Sequence, residues 1–438
     1  MKNALQRLVS IQKEGKAVGI YSACSANPFV IEAVLRKGKE DNSCVLIEST
    51  ANQCDQFGGY TGMTPKDFRD FVYSIADEIG FDKNRIFLGG DHLGPLTWTS
   101  LSEEDALKNA TDLIKAYVGA GFTKIHLDTS MKVATDDPNV RLSDEIISKR
   151  GAMLCKVAEE TYAELLKENP DAVEPVYIVG SEVPIPGGSQ SAVDEGVQVT
   201  KVEDFKATME AFKEAFKNEG LESVWERVLA VVVQPGVEEK DSGCTEYDRE
   251  KAKHLAAAIK EIPDIVFEGH STDYQTKIKL REMVEDGVAI LKVGPGLTFA
   301  AREGLYALSF IEDEMCKING LTPSNFRDVL DAEMLKNDKN WKKHYHGTAD
   351  EIALKRKYSF SDRSRYYYTT EAVEKAINTM MENLKDGCQL NLLSQFMPIQ
   401  YTKVREGSLK NDPKELVLDR VGNTIDEYLY ATHQSELF

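Results

Sequence analysis

Eight short runs of almost unbroken apolar residues punctuate this chain: AVGIYSA (17–23), CVLIEST (44–50), RIFLGG (85–90), KIHLDTS (124–130), VYIVGSE (176–182), VLAVVVQ (228–234), IVFEGHS (265–271) and AILKVGP (289–295). Runs that are apolar throughout and rich in Val and Ile suit strands buried on both faces of a parallel sheet. Between the runs the period changes. PKDFRDFVYSIADEIG (65–80) and EEDALKNATDLIKAYVGAG (103–121) repeat apolar residues at i, i+3 and i+4 and end in glycine, the pattern of amphipathic helices with their C-terminal stop. Eight strand–helix units in roughly 280 residues predict a (β/α)8 TIM barrel. A doubly wound open sheet is the competing fold, and the absence of GxGxxG after the first run counts against it. Beyond about residue 300 the apolar runs give way to helical stretches with aromatic clusters, WKKHYH (341–346) and RSRYYY (363–368). The expected organisation is a barrel over 1–315 and a mainly helical extension over 316–438 packing on it.

Composition narrows the function. A formal charge of −19 over 438 residues repels phosphate backbones and anionic lipid, which excludes nucleic-acid and membrane-surface binding. Seven scattered cysteines without a CxxC pair indicate reduced thiols in a cytoplasm. No signal-like or bilayer-length apolar segment is present, so a soluble cytoplasmic protein is expected.

In a barrel, ligands bind where the strands end and the βα loops converge. Polar residues collect at those ends: Asn27, Glu48, Asp91-His92, His126 and Asp128, Glu182, Gln234, His270-Ser271-Thr272-Asp273 and Gly294. His92 and His270 each close a run beside glycine. Together with Glu182 they make a mixed nitrogen and oxygen donor set suited to a divalent metal, Zn²⁺ or else Mn²⁺, Co²⁺ or Ni²⁺. Each histidine taken alone reads equally well as a satisfied local hydrogen bond. Alternation in KIHLD points His126 either into the barrel or toward its mouth, while His254, His344 and His346 sit in charged helical surroundings and are expected on the surface.

Alternation also turns Asp91 away from its neighbour His92 and leaves it to act as a base on a substrate hydroxyl. The plainer alternative is an aspartate that orients His92 or caps a helix. SEVPIPGG (181–188) leaves the fifth run through two prolines and two glycines and presents Glu182, as ligand or as second acid/base. GHSTDYQT and KVGPGLTFAARE offer hydroxyls, amides and a helix N-terminus for a phosphate at Ser271, Thr272 and Gly294, residues that serve turns and caps equally well. Arg363, with Arg365, either clamps that phosphate or pairs with surface acids. Asn27, Glu48 and Asp128 are the remaining candidate substrate contacts.

ESTANQCDQFGGYTGMTP, LGGDHLGP, GFTKIHLD, SEVPIPGG, VVQPGV, GHSTDYQ, LKVGPGLTFA, YSFSDRSRYY and LLSQFMPIQY resemble, in that order and over almost the whole chain, the Z-type subunit family of class II D-tagatose 1,6-bisphosphate aldolase. The resemblance implies an aldolase-type barrel with a divalent metal and a sugar phosphate substrate. It also implies one of two activities: C4 epimerisation of tagatose 6-phosphate and fructose 6-phosphate by retro-aldol and aldol steps, or stabilisation of a separate class II aldolase catalytic subunit. Class II aldolases are similar at Asp91-His92, at His270 and at the loop of Glu182. Where they carry a further metal histidine this sequence has Gln234, which makes Gln234, Glu182 or Asp128 the implied replacement ligand. No Walker A loop supports a kinase. A homo-oligomer is expected, with the helical extension as its interface.

Overall fold

The computed structural model describes residues 1–181 and 197–438. Each apolar run supplies one strand: β1 (Ile20–Cys24), β2 (Val45–Thr50), β3 (Ile86–Leu93), β4 (Lys124–Leu127), β5 (Val176–Val179), β6 (Val228–Val233), β7 (Val266–Gly269) and β8 (Val288–Val293). They follow one another around a closed, all-parallel barrel, and β8 pairs back onto β1 with Ile20 opposite Ile290 and Ala23 opposite Val293. The chain is therefore a (β/α)8 barrel and not an open sheet.

The amphipathic stretches become helices with the ends their residues predict. Helix Pro65–Ile79 starts at a reciprocal capping box between Thr64 and Asp67, carries proline in its first turn, and stops at Gly80 with φ 65°. Its buried stripe, Phe68, Val72, Ile75 and Ala76, faces the barrel core.

The inside of the barrel is layered. Leu8 and Ile11 of helix Gln6–Lys13, with Ile20, Leu46, Phe87, Ile178 and Ala289, form an apolar plug at the N-terminal end. Above it lies a layer of fully buried charge: Lys124 bridges Glu48 (2.5 Å) and Glu268 (2.7 Å), and Lys292 pairs with Glu48. The plug closes one end to ligands, so chemistry is confined to the other.

The extension is tied into the barrel wall. Helix Pro295–Asn319 follows β8, buries Leu297, Ala300 and Ala301 in the barrel core, and runs on to bury Leu305, Leu308 and Ile311 in a second core with Phe326, Tyr367, Met380 and Leu416. Helix Pro413–Thr432 then returns to the barrel, packing between helices Pro28–Glu40 and Lys277–Glu285 and against β1. Just beyond it, Gln434 accepts from the Tyr21 amide and donates to the Cys44 carbonyl. No helix among the described residues is long and apolar enough to cross a membrane.

Candidate metal centre

The end of β3 sets the geometry. Its pairing with β4 shifts register between Gly90 and Leu93, and His92 takes φ 103°, a region that side chains avoid at a cost of order 1–3 kcal/mol. On a regular strand Asp91 and His92 would face opposite sides. The bulge brings both to the mouth, so the expectation that alternation turns Asp91 away is corrected. Glycines make room: a Cβ at Gly89 would collide with the Glu48 carboxyl, and one at Gly94 with the Asp128 carbonyl.

Asp91, His92 and His126 meet His270 from β7, one donor atom of each lying within 4.8 Å of the others. That spacing is close to what a cation with ligand bonds of about 2.0–2.2 Å spans. Each imidazole is anchored on its other nitrogen. His92 Nδ1 faces Asp128 Oδ2 at 2.8 Å, His126 Nε2 faces the Gly180 carbonyl at 3.0 Å, and His270 Nε2 faces Glu268 Oε1 at 3.0 Å. An N–H donated to each anchor turns His92 Nε2, His126 Nδ1 and His270 Nδ1 inward, the arrangement by which proteins orient metal histidines; the Asp91 carboxylate, which can only accept, meets His126 Nδ1 where a cation would otherwise stand. Asp91 Oδ1 lies 3.0 Å from His126 Nδ1, and its Oδ2 lies 2.8 Å from Lys292 Nζ.

The charges fit a divalent cation as well. Among the described residues, the carboxylates of Glu48, Asp91 and Glu268 pair with the two ammonium groups of Lys124 and Lys292 and that of Asp128 with His92, so four carboxylates face two ammonium groups, leaving two negative charges in excess. Without a cation the imidazoles absorb part of the excess. Burial disfavours charge on His92, but Asp91 and Asp128 outweigh it and hold the ring up at about 9. His270 goes the other way, to about 4, because burial dominates over Glu268. Asp91 stays well below the usual carboxylate range, since His92 and Lys292 outweigh the burial that would raise it.

A cavity of ≈ 360 Å³ opens above the centre, with Asp91, His92, His270 and Lys292 in its floor. The extension supplies part of its wall through Arg365 and Tyr366, where Tyr366 packs edge-on against Tyr60 of the loop after β2. A second cavity, ≈ 370 Å³, adjoins it and shares Tyr60 and Arg365.

The family described as D-tagatose-1,6-bisphosphate aldolase subunit, GatZ/KbaZ-like, matches residues 5–433. The chain belongs to that family. A crystal structure from Sinorhizobium meliloti 1021, described as a probable tagatose 6 phosphate kinase, is 41% identical, with a TM-score of 0.85 over 94% of this chain and 100% of that one. The fructose-bisphosphate aldolase of Campylobacter jejuni is 15% identical (TM-score 0.44, 88% of this chain and 93% of that one). The YdjI aldolase of Escherichia coli K12 is 12% identical (TM-score 0.39, 87% and 100%). Those two likenesses are too slight to bear on this chain.

In this GatZ/KbaZ-like chain, His92 and His270 meet as expected and His126, whose direction was open, joins them. Glu182 lies outside the described residues. Gln234 turns to its own loop, where its Oε1 accepts from the Gly236 and Val237 amides, so the oxygen expected on a metal is committed elsewhere. Asp128 orients His92 and does not line the cavity; Glu48 is paired beneath the floor. Asn27 caps helix Pro28–Glu40 through the Phe29 and Val30 amides and faces the second cavity.

The phosphate expectation changes most. Thr272 donates to the Lys292 carbonyl, away from the cavity, while the amides of Gly294 and Gly296 both donate to Asp273 Oδ1, so a carboxylate of the chain already fills that helix N-terminus. Ser271 and Gly294 do line the cavity. Arg363 donates to the Asn340 carbonyl, and it is Arg365 that reaches the mouth. Neither arginine pairs with a carboxylate among the described residues, which sets aside the surface ion-pair alternative. Lys124, Glu268 and Lys292 were missed, although a charged residue inside an apolar run was their visible sign.

Proposed function

We propose that this chain is a metal-dependent sugar-phosphate epimerase that inverts C4 between fructose 6-phosphate and tagatose 6-phosphate by retro-aldol cleavage and re-addition. What carries the reading is that an ionised Asp91 and three anchored imidazoles converge within a single chain, with Asp91, His92 and His270 lining the cavity and His126 buried beside them. A divalent cation held by His92, His126 and His270 supplies the positive charge that polarises a ketose carbonyl. Asp91 removes the proton of the C4 hydroxyl, and Lys292 keeps Asp91 ionised and fixed between turnovers. His270, held down at about 4 by burial, is neutral at physiological pH, the form in which an imidazole ligates. The phosphate end lies toward Ser271 and Arg365, with Arg363 adding charge behind them.

Purified protein given fructose 6-phosphate and Zn²⁺, Mn²⁺, Co²⁺ or Ni²⁺ should form tagatose 6-phosphate, and silence with all four metals would end this reading. His270→Ala should lose bound metal and turnover together. A second reading follows from membership of an aldolase-subunit family: a stabilising partner of a class II aldolase catalytic chain. It expects a co-expressed aldolase to copurify and to gain stability in the presence of this chain. Both readings suit a cytoplasmic protein, and all seven cysteines are free thiols.

A further inference from the structure

One acid in the cavity wall has no part in the chemistry above. After β6 the chain forms a small hairpin, Glu238–Glu239 paired with Cys244–Thr245, and Glu239 lines the same cavity as Asp91, three staves away around the barrel. Its Oε2 is shielded from solvent and has no hydrogen-bond partner among the described residues. A buried carboxylate oxygen left in that state is costly unless the group carries a proton or meets a ligand.

The groups facing it explain which. Asp273 and Tyr274 come from the loop after β7, Arg363 and Arg365 from the extension, Cys244 from the other arm of the hairpin and Tyr428 from helix Pro413–Thr432. Burial raises Asp273 too, opposed by the Gly294 and Gly296 amides that donate to its Oδ1. Burial, and then the neighbouring Asp273, lift Glu239 to about 7, against the pull of Arg365 and Ser271. Two close carboxyls sharing one proton are a recurrent source of acid and base roles in a single site.

We propose that Glu239 is the proton donor that completes inversion, acting on the face of the substrate away from Asp91. This rests on the epimerase reading. Asp91 takes the O4 proton as the C3–C4 bond breaks, and the electron pair of that bond passes to the C2 carbonyl. The freed aldehyde turns over, the pair returns through C3 to the other face of C4, and the new O4 alkoxide takes the proton of Glu239. Asp91 then releases its proton to water and Glu239 regains one, so nothing is consumed. In the opposite direction the two acids exchange roles.

The test uses the metal-loaded full-length chain. Glu239→Gln should keep its bound metal and its melting temperature, lose epimerisation by ~10²-fold or more, and still release the three-carbon aldehyde phosphate into a coupled assay. Glu239→Asp should recover part of the loss, and the limb near neutral pH should vanish from the residual profile of the Gln variant. Wild-type epimerisation in E239Q, or equal loss of cleavage and epimerisation, would overturn this role and leave the reading of the site standing. No turnover by the unmodified chain with any metal removes both.

Discussion

Lys292 Nζ stands 2.8 Å from Asp91 Oδ2, joining β8 to β3 across the floor of the cavity. The same ammonium pairs with Glu48, so one cation serves two buried acids. Removing it leaves Asp91 to its histidine neighbours and Glu48 to Lys124 alone, and breaking a buried pair costs about 3–5 kcal/mol. Lys292→Met is expected to lower the unfolding free energy from urea denaturation by that measure. Asp91 is held below its unfolded value of about 3.9, so its contribution to stability is present above that value and lost as pH falls below it. In Lys292→Met the acid limb of kcat/KM should move to higher pH.

A second prediction concerns the metal-free protein. His92 is raised from about 6.5 to about 9, so its stabilisation is fully present below about pH 6.5 and is lost as pH rises through about 9. Denaturation in chelator should show stability falling across that window. Metal binding at pH 7.5 should release a proton, read by calorimetry in buffers of different ionisation enthalpy. Asp128→Asn removes the anchor on His92 Nδ1 and should shrink both effects; an unchanged proton release would contradict the assignment.

Gly89 stands where a side chain would strike the Glu48 carboxyl. Overpacking of this kind costs about 1–3 kcal/mol. Gly89→Ala should destabilise the fold by that amount and weaken metal binding by displacing the charged layer under the ligands, measured by thermal melts and metal titration on the same sample.

Arg365 should distinguish phosphorylated from free sugars. A charge-assisted hydrogen bond contributes about 1.5–3 kcal/mol, or roughly 10- to 100-fold in affinity. Arg365→Ala should raise KM for fructose 6-phosphate by that factor and change KM for free fructose far less. An equal loss on both sugars would move the phosphate elsewhere.

How much of this was legible follows from what each pattern encodes. The eight strands were plain because burial on both faces gives unbroken apolar runs. The charges inside them, Lys124, Glu268 and Lys292, looked like interruptions, since their meaning depends on partners from other staves. Alternation left the direction of His126 open, and it misplaced Asp91 because a register shift after Gly90 breaks the parity on which alternation rests. The choice of Arg365 over Arg363 turns on two residues of rotation in the short 3-10 turn Arg363–Tyr367, which composition does not record. The phosphate cradle at Gly294 failed for a reason no local motif reveals: Asp273, 21 residues earlier, already fills it.

The return of helix Pro413–Thr432 to the barrel wall bears on how the molecule is made. During synthesis, β1 and helix Pro28–Glu40 emerge long before helix Pro413–Thr432, and the apolar seam beside them stays bare until residues 413–432 have left the ribosome. Contacts that join the earliest and latest segments are slow to form. Nascent chains stalled before residue 413 should therefore be cut readily by protease or held by chaperones, and chains stalled well past residue 432 should resist.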